Sequence, residues 1–206
     1  MLSSMVALVF SFASLQAQPE APKASCAAGQ LKPIEPSEHA AQAATPAGPA
    51  ANARAGVDAL LGTRDGAISP AQWRKLGPAA SPILEEIAVD PQALSTRRAR
   101  AVEGLTALRS PHSPALLKKL AQSDDEPFLV RLAAMRGAGR TLSAAQQLAA
   151  LRPALEKAPD VRLRAAAAEV LSQHRANCAA VRAQSKREQA DAQPRFEASL
   201  QRCGSK

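Results

Sequence analysis

The stretch VRLAAMRGAG at residues 130–139 recurs as LRAAAAEVLS at residues 163–172 and as RRARAVEGLT at residues 97–106. Successive copies begin 33 residues apart, and each has Arg at its second position and Ala three residues after that Arg. Self-similarity at a spacing of about 20–50 residues is the signature of proteins built from stacked repeats. The sequence therefore predicts that one small unit is stacked several times.

The composition indicates which kind of unit this is. The chain has 206 residues, of which 46% are hydrophobic, yet it contains no Tyr, one Trp and four Phe. Ala and Leu, which dominate the apolar residues, are strong helix formers, whereas the aromatic and β-branched residues that favour strands are few. We therefore predict an all-α fold.

Short signals mark where helices begin. Ser69 with Gln72, and Ser143 with Gln146, have the spacing of a capping box, in which two side chains satisfy backbone N–H groups at a helix start. Pro153 is expected to bend or split the helix that follows Ser143. Two Ser-Pro pairs, Ser81–Pro82 and Ser113–Pro114, predict further helix starts. The short apolar stripe Val57–Leu61 predicts a first helix that ends at Gly62.

The N-terminus has the features of an export signal. No charged side chain precedes Glu20, and the apolar stretch Met5–Leu15 is too short to cross a membrane. We interpret residues 1–17 as a secretory signal peptide. The mature chain is then expected to be periplasmic or secreted, without a transmembrane segment. Two alternatives stay open at this point: a buried N-terminal helix and a lipid anchor at Cys26.

Residues 18–53 are predicted to form a disordered linker. Six prolines lie in this segment among Ala, Gln, Glu and Ser, with almost no large apolar residue. Such a segment does not bury enough surface to offset its conformational entropy. Ordered structure is therefore expected to begin near Arg54, with the repeats at residues 54–174.

Two of the three cysteines lie in the last part of the chain, residues 175–206, which we interpret as C-terminal capping helices. Pro194 is suited to start a second helix between Cys178 and Cys203, and an antiparallel hairpin would bring both cysteines to its open end. An exported protein favours an oxidised pair, so we predict a Cys178–Cys203 disulfide. The alternative is a zinc site formed by His174 with the same two cysteines, although structural zinc usually has four ligands.

The repeated stretches resemble the HEAT-repeat family, in particular the short bacterial repeats related to those of phycobilisome lyases. In that family the first helix of each unit reads as aliphatic, Arg, two free positions, two Ala, a free position, Ala, Leu and Gly, a pattern that residues 130–139 and 163–172 follow closely and residues 97–106 less closely. The resemblance implies a short α-α superhelix, a HEAT-like solenoid. Its lyase-related members also imply an alternative function as a lyase-like or chaperone-like accessory to an enzyme.

The same resemblance implies a structural role for the aligned arginines. In the family, an Asp in the turn and an Arg in the helix tie one unit to the next. The corresponding arginines here are Arg98, Arg131 and Arg164, and the acids that precede them are Asp90, Asp124 with Asp125, and Asp160. We call these three aligned arginines and the acids that precede them the ladder. The alternative is that the arginines of the ladder bind an anion or an acidic peptide.

The charge and the motifs bear on function. The formal net charge is +8, but the basic residues of the tail are interspersed with acids and no aromatic stacking platforms accompany them, so a specific nucleic-acid site is not expected. No catalytic or cofactor-binding motif is present. We therefore predict a non-enzymatic scaffold, without a cofactor or metal, that binds another protein in the cell envelope. The alternative is a basic module that binds anionic lipid or nucleic acid.

Overall fold

The computed structural model describes residues 48–63 and 66–204, and all the regular structure in these ranges is helical, which confirms the all-α prediction. The predicted signal peptide, Cys26 and almost all of the predicted linker lie outside the described residues. The α-helices are α1 (Pro49–Gly62), α2 (Pro70–Lys75), α3 (Ala80–Val89), α4 (Ser95–Leu108), α5 (Ser113–Gln122), α6 (Phe128–Thr141), α7 (Ala144–Lys157), α8 (Val161–Leu171), α9 (Cys178–Ser185) and α10 (Glu197–Gly204). Two 3₁₀ turns, Arg175–Asn177 and Gln193–Phe196, precede α9 and α10.

Both predicted capping boxes are present. At α2, the Ser69 hydroxyl accepts a hydrogen bond from the backbone N–H of Gln72 at 3.3 Å, and the Gln72 side chain accepts one from the backbone N–H of Ser69 at 2.8 Å. The pair Ser143 and Gln146 makes the same two bonds at α7, at 3.4 and 3.0 Å. These local signals fix two helix starts because each involves residues only three positions apart.

Helix α1 begins at Pro49, ahead of the predicted start of order at Arg54. The reason is local, because Pro is favoured in the first turn of a helix and the Ala-rich residues that follow are strong helix formers. The predicted apolar stripe is buried, with Val57 fully inaccessible and Leu61 5% exposed, and Ala53 extends it by one turn.

The helices pack in a pattern that repeats along the chain. We call α4, α6 and α8 the Arg-led helices and α3, α5 and α7 the Leu-rich helices. Each Leu-rich helix packs against the Arg-led helix that follows it, and the Arg-led helices pack on one another in chain order, with α2 preceding α4. The acidic turn between each Leu-rich helix and the next Arg-led helix therefore closes an antiparallel helix pair.

Small residues let the Arg-led helices approach closely. Ala101, Ala134 and Ala167, which occupy one column of the repeat, are all fully buried. The closest approach is at Gly137 on α6, where an added Cβ atom would lie 2.5 Å from the Thr106 hydroxyl on α4 and 2.8 Å from a Leu117 methyl on α5. A residue without a side chain is thus required at Gly137, where α4, α5 and α6 meet.

Pro153 lies inside α7 without splitting it, so the prediction of a split helix is wrong. Proline has no N–H, and the carbonyl of Ala149 loses its partner within the helix. The side-chain amide of Gln122, on α5, donates hydrogen bonds to the carbonyls of Ala149 at 3.4 Å and Ala150 at 3.1 Å. A neighbouring helix therefore satisfies the group that the proline leaves free.

The C-terminal segment packs against the last repeat. Cys178, at the start of α9, and Cys203, near the end of α10, lie at disulfide distance, with their Sγ atoms 2.14 Å apart. Arg182 donates a hydrogen bond to the carbonyl of Cys203 at 2.7 Å, and Phe196 is fully buried beside α8. The predicted pairing of the two cysteines is therefore present in the fold.

We predict that Gly137→Ala lowers the free energy of unfolding by about 1–3 kcal/mol, because overpacking outweighs the gain of about 1 kcal/mol in helix propensity. Gly62→Ala is the matched control, since its added Cβ atom meets nothing within 4 Å. Chemical denaturation of both variants gives the comparison. Equal stability of the two would contradict the close packing at Gly137.

Candidate functional site

The aligned arginines occupy equivalent buried places near the starts of their helices. Arg98 and Arg131 are each 5% exposed, and the side chain of Arg164 is 19% exposed. A buried guanidinium is unfavourable unless hydrogen-bond acceptors surround it. The acceptors of each arginine therefore show what the ladder does.

Arg98 joins three elements. Its Nε donates a hydrogen bond to the carbonyl of Ala88, in α3, at 3.0 Å, and its Nη2 donates one to Glu126 at 2.5 Å. Glu126 lies in the next acidic turn, between α5 and α6. Arg98 thus ties its own helix pair to the pair that follows.

Arg164 makes the corresponding connection to the C-terminal segment. Its Nε and Nη2 donate to the two carboxylate oxygens of Glu188 at 2.7 and 2.6 Å, and its Nη1 donates to the carbonyls of Ala158 and Pro159. Glu188 also accepts a hydrogen bond from Gln184 at 2.7 Å, and its side chain is only 2% exposed. This two-pronged pair is the most fully satisfied step of the ladder.

Arg131 has the poorest set of partners. Its Nη1 lies 3.0 Å from Asp124, whose side chain is 80% exposed, and its buried Nε has no hydrogen-bond partner among the described residues. One repeat length after Glu126 the chain has Pro159 in place of an acid. The middle step therefore lacks the carboxylate that Arg98 receives from the next unit.

Of the acids predicted for the ladder, Asp124 pairs with Arg131 and the others have different roles. Asp90 accepts a hydrogen bond from the backbone N–H of Gln92, Asp160 caps α8 and binds Arg162, and Asp125 makes no side-chain contact of this kind within the described residues. An acid close to a helix end satisfies the free N–H groups of its own turn. The partners of Arg98 and Arg164 are instead Glu126 and Glu188.

The ionisation of two of these acids follows from their contacts. The hydrogen bonds from Arg164 hold the pKa of Glu188 below its ordinary value, with Gln184 adding to the effect. The hydrogen bond from the side chain of Arg162 lowers the pKa of Asp160 in the same way. Both carboxylates serve as partners of helix ends and arginines, which is a structural use.

The structure pairs the two cysteines of the zinc alternative with each other. Cys178 and Cys203 are bonded to each other, so neither provides a thiolate ligand, and Nε2 of His174 lies 3.2 Å from the side-chain amide of Gln147. Within residues 48–63 and 66–204, no group of three or more His, Cys, Asp or Glu side chains is placed to hold a metal ion.

Two arginine-lined grooves flank α6 and form the candidate binding surface. The C-terminal groove, of about 440 Å³, lies between α6, α8 and α10, with Phe128, Leu132 and Ala165 among its apolar lining. Arg162 stacks on the ring of Phe128 at 4.3 Å and binds Asp160, and Arg202 donates hydrogen bonds to the Glu169 carbonyl and the Ser172 hydroxyl. The arginines that line this groove are Arg136, Arg162, Arg195 and Arg202.

The N-terminal groove, of about 520 Å³, lies on the other side of α6. Its arginines are Arg74, Arg109 and Arg140, and its lining contains one acid, Glu103. None of the three guanidinium groups makes an ion pair or a hydrogen bond with a described residue. Arg140 and Arg136 lie four residues apart on α6, so one exposed helix face presents a cation to each groove.

Sequence reasoning missed both grooves because their arginines are far apart in the chain. One signal was present, since Arg74 and Arg140 differ by 66 positions, two repeat lengths, and so occupy one column. Arg109 lies outside that column, at the end of α4, and only the fold brings it beside them.

Comparison of the chain with protein-family models, with curated proteins and with solved structures gives no match. In the described part of the chain, none of the helices has the length and apolar character needed to traverse a bilayer.

We predict a large loss of stability for one substitution in the ladder and a small change for another. Arg164→Met leaves Glu188 buried without its cation and should lower the free energy of unfolding by about 3–5 kcal/mol. Arg131→Met removes a cation whose only carboxylate partner is exposed, and should change stability by less than about 1 kcal/mol. Denaturant titration measures both. A larger loss for Arg131→Met would contradict the difference between the two steps.

The lowered pKa of Glu188 predicts a dependence of stability on pH. Because the folded protein holds this carboxyl ionised below its ordinary pKa, the unfolded chain binds more protons in acid, and stability falls as the pH drops below about 4.5. Glu188→Gln should be less stable at neutral pH and should show a smaller further loss in acid. Thermal melts of both proteins between about pH 7 and pH 3 test this, and parallel losses would contradict it.

Proposed function

We propose that this chain is a non-enzymatic, HEAT-like repeat protein that binds another protein through the face of α6 that borders the two grooves. The repeat architecture is supported by the contacts along the chain. Each Leu-rich helix packs against the Arg-led helix that follows it, and the Arg-led helices pack on one another in order. Stacked repeats of this kind bury a continuous core and leave an extended surface for binding.

One observation carries the binding role: two unpaired guanidinium groups, four residues apart, lie on one exposed face of α6 between the two grooves. The arginines that the fold itself uses are paired with carboxylates, and Arg98 and Arg131 are buried while Arg164 is partly buried. Arg136 and Arg140 are exposed and make no ion pair or hydrogen bond with a described residue. Arg is enriched at protein interfaces because its planar guanidinium binds carboxylates in two-pronged contacts.

A non-enzymatic role is supported by the use of the ionised groups. The carboxylates with lowered pKa, Asp160 and Glu188, are each bound to an arginine that holds a helix end or a turn. A catalytic acid or base usually has its pKa moved toward the working pH, which is the opposite direction for a carboxyl group.

We place the protein outside the cytoplasm, in the periplasm or secreted. The Cys178–Cys203 disulfide supports this location, because such bonds persist in oxidising compartments. The sequence features of residues 1–17 agree with export.

The alternative of a basic module for nucleic acid or anionic lipid draws on the same unpaired arginines. A photoreactive residue in place of Arg140 separates the two, with Lys118 on α5 as the matched exposed control position. In the cells that make this chain, we expect position 140 to crosslink to one protein, with loss of the product when excess unmodified chain competes. Position 118 should not do so.

The other outcomes of this experiment are equally informative. Crosslinks from position 140 to nucleic acid or lipid would support the basic module. Equal crosslinking at both positions, or no crosslink at position 140, would contradict the proposed surface.

A further inference from the structure

We propose that the N-terminal groove is the recognition site for an acidic segment of the partner protein, with Arg109 as its central cation. This inference rests on the proposed function and adds the place and the chemistry of binding. It is carried by the charge of the groove, by the left-handed backbone conformation of Arg109 and by the apolar surface beside Trp73.

The charge of the groove selects an anionic ligand. Arg74 comes from α2, Arg109 follows the last residue of α4, and Arg140 comes from α6. Three separate elements thus bring unpaired cations to one concave surface, and Glu103 is the only acid among the described residues that line it. Carboxylates bound to guanidinium groups make short, charge-assisted hydrogen bonds, which favours a segment rich in Asp or Glu.

Arg109 occupies a backbone position that suits glycine. Its φ and ψ of 53° and 42° lie in the left-handed region, and its N–H closes α4 on the carbonyl of Leu105 at 3.1 Å. Helices commonly end with glycine at such a position, because a side chain there is strained. The left-handed arginine is therefore unfavourable for folding alone, and strained residues of this kind concentrate at functional sites.

The same residue lies at the junction of adjoining cavities. Arg109 lines the N-terminal groove and two smaller cavities beside it, one shared with Arg140 and the other with Arg74. Its side chain is exposed and makes no hydrogen bond or ion pair with a described residue. A ligand that contacts Arg74 and Arg140 therefore passes Arg109.

The groove wall also has apolar surface. Trp73 lines the groove but is only 1% exposed, and Ile68 and Pro70 contribute apolar surface beside it. The apolar side chains of a peptide match this part of the lining, while its acidic side chains match the arginines.

The aromatic residues argue for a peptide over single-stranded nucleic acid. Binding of unpaired bases relies on exposed aromatic rings on which the bases stack. Trp73 and Phe196 are buried, and the ring of Phe128 is covered by Arg162. No other aromatic residue lies in the described part of the chain.

The experiment uses the full chain and a short fluorescent peptide of Asp, Glu and Leu, with a control peptide in which Asn and Gln replace the acids. Arg109→Gly removes the guanidinium and suits the left-handed backbone, so the melting temperature should stay the same or rise while affinity for the acidic peptide falls about tenfold. Arg140→Gln should weaken binding similarly. Lys118→Gln, with the same charge change at the exposed control position on α5, should bind nearly as the unmodified chain does.

Three results would overturn the inference. These are unchanged affinity in Arg109→Gly, an equal loss in Lys118→Gln, and tighter binding of a single-stranded RNA homopolymer than of the acidic peptide at the same salt concentration. If Arg109→Gly binds normally while position 140 still crosslinks to one protein in cells, the proposed function stands and only this site is wrong. If the chain with the photoreactive residue at position 140 and no other substitution gives no crosslink to a protein, the proposed function itself is wrong.

Discussion

The packing of small residues between successive Arg-led helices is the constraint on which the rest of the structure depends. Ala101, Ala134 and Ala167 are fully buried in equivalent places, and Gly137 allows α6 to touch both α4 and α5. Each Arg-led helix buries one face in this way, and the Leu-rich helices supply the large apolar side chains around it. The opposite face of the Arg-led helices stays exposed. Folding and the proposed binding role therefore use different sides of the same helices.

The two uses of arginine follow from this division. On the buried side, Arg98 and Arg164 bind carboxylates from the next part of the chain and connect neighbouring units. On the exposed side, Arg136 and Arg140 have no such partner among the described residues. A guanidinium that is already paired with a carboxylate attracts an anionic ligand only weakly, whereas an unpaired one at the edge of a groove attracts anions. The arginines with a structural role thus lie on the buried side of the repeat, and the arginines of the proposed binding surface lie on its exposed side.

The sequence predicted the features that depend on neighbours in the chain. The capping boxes at Ser69 and Ser143 and the buried alanine column follow from spacings of three or four residues and from the repeat length. The partners of the buried arginines did not follow, because Glu126 and Glu188 reach them from 28 and 24 residues away. Helix packing also determines two further features. Gln122 donates hydrogen bonds to the helix around Pro153, and Arg74 and Arg109 line the same groove.

The most direct test of the central claim is amide hydrogen exchange in Ala134→Leu. Ala134 lies in the buried column of α6, and α6 packs against both α4 and α8. If the small-residue column joins the repeats, a larger side chain there should reduce protection in α4 and α8 as well as in α6. Loss of protection confined to α6 would show that the Arg-led helices do not depend on one another, and the account would be wrong.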